Sequence, residues 1–332
     1  MNRQPVLTLT LIGLLAPCFL SCCMSATQAQ SHNLRAATSS SYIERGREWY
    51  AKGEYARAEA DFDLAIATDP SQANAYYNRA TTRCQLGKLP ESLADFDRAL
   101  QLNPRMVEAY VDRGGVRYLL GDLDGTISDS NKAIELNPKL GEAWTNRGMA
   151  RRGKADLDGA LADFNQSLKL NPRRADTWGS RGAVRLLKGD AEGAIRDHTQ
   201  ELKLNPGSAE AWSDRGAARL LKGELDGALA DYNKSIGINP RLSNSWFNRG
   251  LLWKTKGDLA RAEADFTQAI ELQPQLADAY AQRGLVRLLQ NHAVEAQQDF
   301  DQCLELNPKY RQSLERLIAA EQQQLARRGQ LQ

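Results

Sequence analysis

The chain has 332 residues, 43 of them Lys or Arg and 41 Asp or Glu, for a formal net charge of +2. Near-neutrality excludes a nucleic-acid binder that works through bulk positive charge. A composition that is 42% hydrophobic and 25% charged, with a mean hydropathy of −0.54, excludes an embedded membrane protein and a disordered chain alike.

The first segment reads as an export leader. Arg3 precedes a mostly apolar stretch over 6–20 that is too short to span a bilayer. Thr27-Gln28-Ala29 places small side chains where a signal peptidase reads them, which predicts a signal peptide over 1–29 cleaved after Ala29. Phe19-Leu20-Ser21-Cys22 loosely matches a lipoprotein signal. That alternative ends the leader before a lipidated Cys22. Either way the protein is expected outside the cytoplasm, periplasmic or secreted, with membrane contact only through the possible lipid. A polar linker follows over 30–38. Beyond the leader only Cys84 and Cys303 remain, 219 residues apart, and two free thiols are expected.

From residue 39 onward the sequence is periodic. Proline stands at 70, 104, 138, 172, 206, 240, 274 and 308, every interval being 34, and six of these prolines follow Asn. Proline cannot continue a helix, so each one ends a helix and opens the next unit. The units run 39–72, 73–106, 107–140, 141–174, 175–208, 209–242, 243–276 and 277–310. Their fourth slot is always aromatic, as in Tyr76, Trp144 and Trp212. The eighth is always small, as in Ala80, Gly148 and Gly182. The twentieth is small, and the twenty-fourth is aromatic except at Ser130 and His198. Slots four, eight and eleven share one helical face, and so do slots twenty, twenty-four and twenty-seven. Small residues at slots eight and twenty let two helices approach closely, and the aromatics are expected to fill the space between units. Glycines such as Gly53, Gly121 and Gly189 mark the turn between the two helices. A 34-residue period of this kind is that of a two-helix solenoid. The segment 311–327 continues as an amphipathic helix with Leu314, Leu317 and Ile318 in core slots, and it reads as a capping helix before a short tail over 328–332.

These slots, recurring in register over 39–310, resemble the tetratricopeptide repeat family. The resemblance implies an all-α, right-handed solenoid of eight helix-turn-helix units, with a concave groove lined by the first helix of each. It also implies a scaffold that binds protein or peptide partners. One departure stands out, because the seventh slot, usually apolar in the family, is always arginine: Arg45, Arg79, Arg113, Arg147, Arg181, Arg215, Arg249 and Arg283. The twenty-third is always aspartate: Asp61, Asp95, Asp129, Asp163, Asp197, Asp231, Asp265 and Asp299. In antiparallel helices the two slots lie at one height, which predicts a ladder of partly buried Arg–Asp pairs within or between units. The functional alternative is an anion-binding row of arginines.

The resemblance places slots two, five, six, nine, twelve and thirteen on the groove. Peptide-contacting candidates are then Asn78, Asp112, Asn146, Asp214 and Asn248 at slot six, with Glu142, Asp176 and Glu210 at slot two. Amides there suit an extended peptide backbone, and the acids favour a basic or polar segment. Apolar residues at groove slots of units five to eight, among them Ala183, Leu186, Leu187, Leu220, Leu221 and Leu285, form either a ligand strip or packing against the next unit. The Lys at slot five and Asn at slot nine that clamp a partner's C-terminal carboxylate in some family members are missing. No Gly-rich phosphate loop occurs, and no Cys/His cluster has metal-ligand spacing. His198 fills an aromatic slot and reads as a buried structural histidine. Asn165-Gln166-Ser167 and Asn233-Lys234-Ser235 match glycosylation acceptors by letter, but the serines sit in core slots. The expectation is a non-catalytic scaffold without cofactor or nucleic acid. A self-associating architectural protein is the alternative, and a cryptic enzyme comes last.

Overall fold

The computed structural model describes residues 38–327. The leader over 1–29, with both Cys22 and Ala29, and the tail over 328–332 lie outside the described residues. Thr38, assigned to the linker, already belongs to the first helix.

All regular structure among the described residues is helical. The chain clusters into two units, 1–138 and 139–332. The first holds α1 (38–51), α2 (Tyr55–Thr68), α3 (Ala73–Gln85), α4 (Leu89–Leu102), α5 (Val107–Leu119) and α6 (Leu123–Leu136). The second begins with α7 (Gly141–Gly153), α8 (Leu157–Leu170), α9 (Ala175–Leu187), α10 (Ala191–Leu204) and α11 (Ala209–Lys222). It continues with α12 (Leu225–Ile238), α13 (Ser243–Thr255), α14 (Leu259–Leu272), α15 (Ala277–Leu289) and α16 (Ala293–Leu306), then a 3-10 turn over Pro308–Tyr310 and α17 (Arg311–Arg327). Within each unit every odd-numbered helix from α3 to α15 pairs with the even-numbered helix after it, and each pair packs on the next.

The helix ends follow from the repeat. Second helices stop two residues before the recurrent proline, and at the position between, Asn103, Asn171 and Asn239 use Oδ1 to accept the N–H two residues on, at 3.0–3.1 Å. This Asx turn holds the chain across the proline and accounts for the Asn-Pro dipeptide. Asp122, Asp156 and Asp190 accept the N–H of the glycine three residues on and cap the second helix of their repeats. The inter-helix turn needs a left-handed residue. Glycine supplies it at Gly53, Gly87, Gly121, Gly189, Gly223 and Gly257, while Ala155 and Asn291 adopt positive φ at a steric cost.

The core is built at slots eight, twenty and twenty-four. Ala160, Phe164, Ala228, Tyr232, Ala262 and Phe266 are fully buried. A Cβ on Gly148 would come within 2.7 Å of the Phe164 ring, so the glycine lets the two helices close on that aromatic. At the end of the second unit Leu314 of α17 packs among Ala281, Leu285, Phe300 and Cys303. Farther along α17, Glu321 pairs with Lys254 of α13 at 2.7 Å. Cys84 and Cys303 are free thiols.

Candidate functional site

Every slot-seven arginine donates twice to the slot-twenty-three aspartate of its own repeat. Its Nε reaches Oδ2 at 2.7–3.0 Å, and Nη2 reaches Oδ1, from Arg45–Asp61 through Arg283–Asp299. Sixteen residues on one hairpin set this register, and the bidentate fork gives it direction. The third nitrogen, Nη1, reaches back to slot twenty-five of the preceding repeat: Arg79 to Asp63, Arg113 to Asp97, Arg181 to Asn165, Arg215 to Thr199, Arg249 to Asn233 and Arg283 to Thr267, at 2.6–3.3 Å. The ladder thus joins helices within repeats and also neighbouring repeats inside each unit. Asn165 and Asn233 are engaged in it, and Ser167 and Ser235 are buried, so neither sequon presents a free acceptor.

Two features of the ladder were not read from the sequence. The slot-four aromatics pack against the core between repeats, as Tyr76, Tyr110, Trp246 and Tyr280 do, and their half-buried rings also lie beneath the guanidinium one turn on. Arg147, Arg181, Arg215 and Arg249 sit 4.6–4.8 Å from the Trp ring centroids, and the tyrosines of the other repeats sit at 5.3–5.7 Å. A ring three residues before an arginine on a helix faces the same side, so it meets the cation on one face while its other side packs on the core. The second missed feature is slot eleven. Arg83, Arg117, Arg151, Arg185, Arg219 and Arg287 each place Nη1 2.7–3.0 Å from the same aspartate's Oδ2. Its signal was visible as an arginine recurring at a fixed slot in six repeats. Where slot eleven is Trp49 or Trp253, slot nineteen becomes Arg57 or Arg261 and stacks on that indole at 4.9 and 4.5 Å. The anion-binding alternative fails on this geometry, because the slot-seven forks are already filled by carboxylates.

The groove candidates divide. In the first unit Asn78 is half-buried with its amide nitrogen unpartnered, and Asp112 accepts the Tyr77 hydroxyl at 2.8 Å. In the second unit Asn146 is half-buried, and the Asn248 amide lies 3.5 Å from the Ser213 hydroxyl. Glu142 and Asp176 converge on one guanidinium, that of Arg174, at 2.9 and 2.7 Å, and so form a surface ion pair. Glu210 is exposed. Slot five, placed on the groove by resemblance, is instead mostly buried, as Ile43, Val111, Thr145, Ser213 and Ala281 show, because neighbouring first helices close over it. Leu285 is fully buried too, so the apolar strip does not include slot nine there. Slot thirteen behaves oppositely: Leu119 is 70% exposed in the first unit, and Leu187 and Leu221 are 66% and 61% exposed in the second.

Asp214 lines a recess of about 450 Å³ with Arg152, Ala183, Leu186, Leu187 and His198. The carboxyl keeps access to water through the mouth of the recess, but the surrounding walls thin its hydration. That desolvation, with the like charges of Glu201 and Glu210, holds its pKa above the ordinary aspartate range, against the opposing pull of His198 and Arg152. His198 is buried, as expected of its slot, and its Nδ1 lies 2.9 Å from Glu201 Oε2. Among the described residues no group of His, Cys, Asp or Glu side chains has the arrangement to hold a metal ion, and no helix is long and apolar enough to cross a membrane.

Comparison with known families decides the fold. Models of the tetratricopeptide repeat match residues 73–106, 145–203, 199–242, 243–276 and 277–310, together more than half of the chain. The chain belongs to the tetratricopeptide repeat family. No curated protein matches the sequence. Among solved structures, a tetratricopeptide repeat protein of Parabacteroides merdae is similar over 75% of this chain and 99% of its own, at 20% identity and a TM-score of 0.59. A chain of the APC/C hetero-tetramer Cut9–Hcn1 aligns over 80% of this chain and 52% of its own, at 14% identity and a TM-score of 0.65. Pseudomonas aeruginosa pilF aligns over 62% of this chain and 94% of its own, at 17% identity and a TM-score of 0.56. At these identities the likeness is one of fold, and tetratricopeptide folds are in general protein-interaction scaffolds.

Proposed function

We propose that this protein is a non-catalytic scaffold that binds an extended stretch of another polypeptide along the wall of first helices, in the assembly of an envelope or secreted complex. The observation that carries the reading is the division of its side chains. The slot-seven guanidiniums are closed off by aspartates, while large leucines at slot thirteen stand in solvent beside half-buried polar groups at slot six. A helix face that leaves Leu187 and Leu221 exposed has apolar area to cover, and amides and acids beside it supply hydrogen bonds to a peptide backbone. Many shallow contacts of this kind bind a segment without a single deep pocket. The leader supports an extracytoplasmic setting, with the mature chain beginning at Gln30 or at a lipidated Cys22. Intact mass of the mature protein from its native host separates the two.

Site-specific photocrosslinking tests the scaffold reading. A benzophenone side chain at Leu187 or Leu221 is expected to crosslink to one contiguous segment of a second protein. The same group at Leu204, on the second-helix side of its repeat and also exposed, is expected to remain silent. Equal crosslinking from both faces overturns the reading. Crosslinks between copies of this chain assign the wall to self-association instead.

A further inference from the structure

The fifth repeat breaks the pattern of the other seven in three places at once. Slot twenty-four is His198 where six of the others have Phe or Tyr. Slot twenty-seven is Glu201 where the others have Ala65, Ala99, Ala133, Ser167, Ser235, Ala269 and Cys303. Slot five is Gly179, and a Cβ there would lie 2.6 Å from both Glu201 carboxylate oxygens. The glycine therefore makes the space that Glu201 occupies, and Glu201 meets the buried ring of His198. The ladder does not require any of this, since Arg181 and Asp197 form their bidentate pair in the same repeat as elsewhere. Coordinated departures that replace an apolar core pair with a titratable one mark a site where packing has yielded to something else.

His198 faces a recess walled also by first-helix residues of repeats four, five and six. His198 forms part of its wall, is 1% exposed, and leaves Nε2 without a hydrogen-bond partner. Asp214 stands beside it with no ion pair among the described residues. The Tyr232 hydroxyl, fully buried and unpartnered, lies within electrostatic range of that carboxylate. Leu186, Leu187 and Ala183 provide the apolar side, and Arg152, also in the wall and within electrostatic range of Asp214, has no ion pair among the described residues. The recess thus holds a carboxylate in need of a donor, an apolar ramp, and the Arg152 guanidinium in its wall.

We infer that this recess is a specificity pocket for a basic side chain, Lys or Arg, of the bound polypeptide. The aliphatic stem lies on Leu186 and Leu187, the cationic head reaches Asp214, and the main-chain carbonyl of the same residue faces Arg152. Long basic side chains bury their methylenes while their charge finds a partner, which is the combination of surfaces present. The like charges of Glu201 and Glu210 near Asp214 add negative potential and disfavour an acidic residue there. This deepens the scaffold reading, on which it rests only for the chain that carries the side chain.

N-acetyl-lysinamide is the probe, with the uncharged isostere N-acetyl-norleucinamide and with N-acetyl-glutamate amide as comparisons. Binding is followed through the imidazole C–H resonances of the full mature protein, His198 being assigned by its loss in His198→Phe and His292 serving as a distant control. The lysine amide is expected to shift His198 saturably and leave His292 in place. The norleucine compound is expected to bind about tenfold more weakly, and the glutamate compound not at all. Asp214→Asn, an isosteric change at a solvent-accessible carboxyl, is expected to remove the lysine preference. Leu187→Ser weakens all alkyl probes alike. Equal affinity for the lysine and norleucine amides, an unchanged preference in Asp214→Asn, or parallel shifts of His198 and His292 overturns the pocket. The photocrosslinking outcome at Leu187 and Leu221 is independent of these titrations, so failure of one reading is distinguishable from failure of the other.

Discussion

Arg147–Asp163 and His198–Glu201 are both pairs of titratable side chains sunk between the two helices of a repeat, and they differ in what they leave over. Asp163 receives two hydrogen bonds from Arg147 and a third from Arg151, and the Arg147 guanidinium rests on Trp144. Every strong group in that set has a partner, and the same set recurs down the chain. His198 and Glu201 satisfy one nitrogen and one oxygen and leave Nε2, with Asp214 beyond it, unmatched. A closed set of charges holds helices in register and offers nothing to a ligand. An open set costs stability in the free protein, and a ligand able to close it would recover that cost.

The largest expected effect breaks the closed set. Asp163→Ala leaves Arg147 and Arg151 facing each other without a carboxylate, and is expected to cost about 3–5 kcal/mol in denaturant unfolding. A midpoint equal to wild type would remove the ladder as a source of stability. In the open set the sign reverses. The double change His198→Phe with Glu201→Ala restores the Phe and Ala pair found at Phe96 and Ala99, at Phe62 and Ala65, and at Phe266 and Ala269. It is expected to raise stability by about 1–2 kcal/mol, because a buried unpaired nitrogen disappears. Loss of stability in that double variant would show that the dyad is itself structural.

The smallest effects are in pH. The Arg45 hydrogen bonds hold the Asp61 carboxyl below its usual range, so its contribution is present above the unfolded pKa and is lost as pH falls through the folded one. Asp214 is held above its usual range, so the folded state favours its neutral form. Stability from this group declines as pH rises from the ordinary aspartate value through the raised one. Asp214→Asn is expected to flatten that decline, with a change under about 1 kcal/mol at neutral pH, since the carboxyl retains access to water. Urea midpoints across the acidic range check the slope. A steeper decline in the variant would mean that Asp214 is paired after all.

Much of the fold was legible before any coordinate. Thirty-four residues between prolines, a small residue at slot eight and an aromatic at slot twenty-four define a hairpin and its seam, because helix periodicity and chain reach leave few ways to bury them. The Arg and Asp at slots seven and twenty-three were legible as partners for the same reason. Slot eleven was missed although it recurs, since it was counted with an apolar stripe and its arginine reads as surface. The recess was not legible as a site: Arg152, Ala183, His198 and Asp214 come from three repeats and four helices, and each taken alone follows or breaks its own slot without naming the others.

By itself, then, the sequence of this protein determined the repeat, the helix boundaries and the pairing of charges inside each hairpin, all of which depend on separations of a few turns. Only the tertiary structure decided which arginines share one aspartate, which leucines stay in water and where an unmatched carboxylate faces an apolar wall. Those outcomes depend on how neighbouring hairpins stack, and stacking is set by the shapes of many side chains together, while a period records only what each repeat has in common with the next.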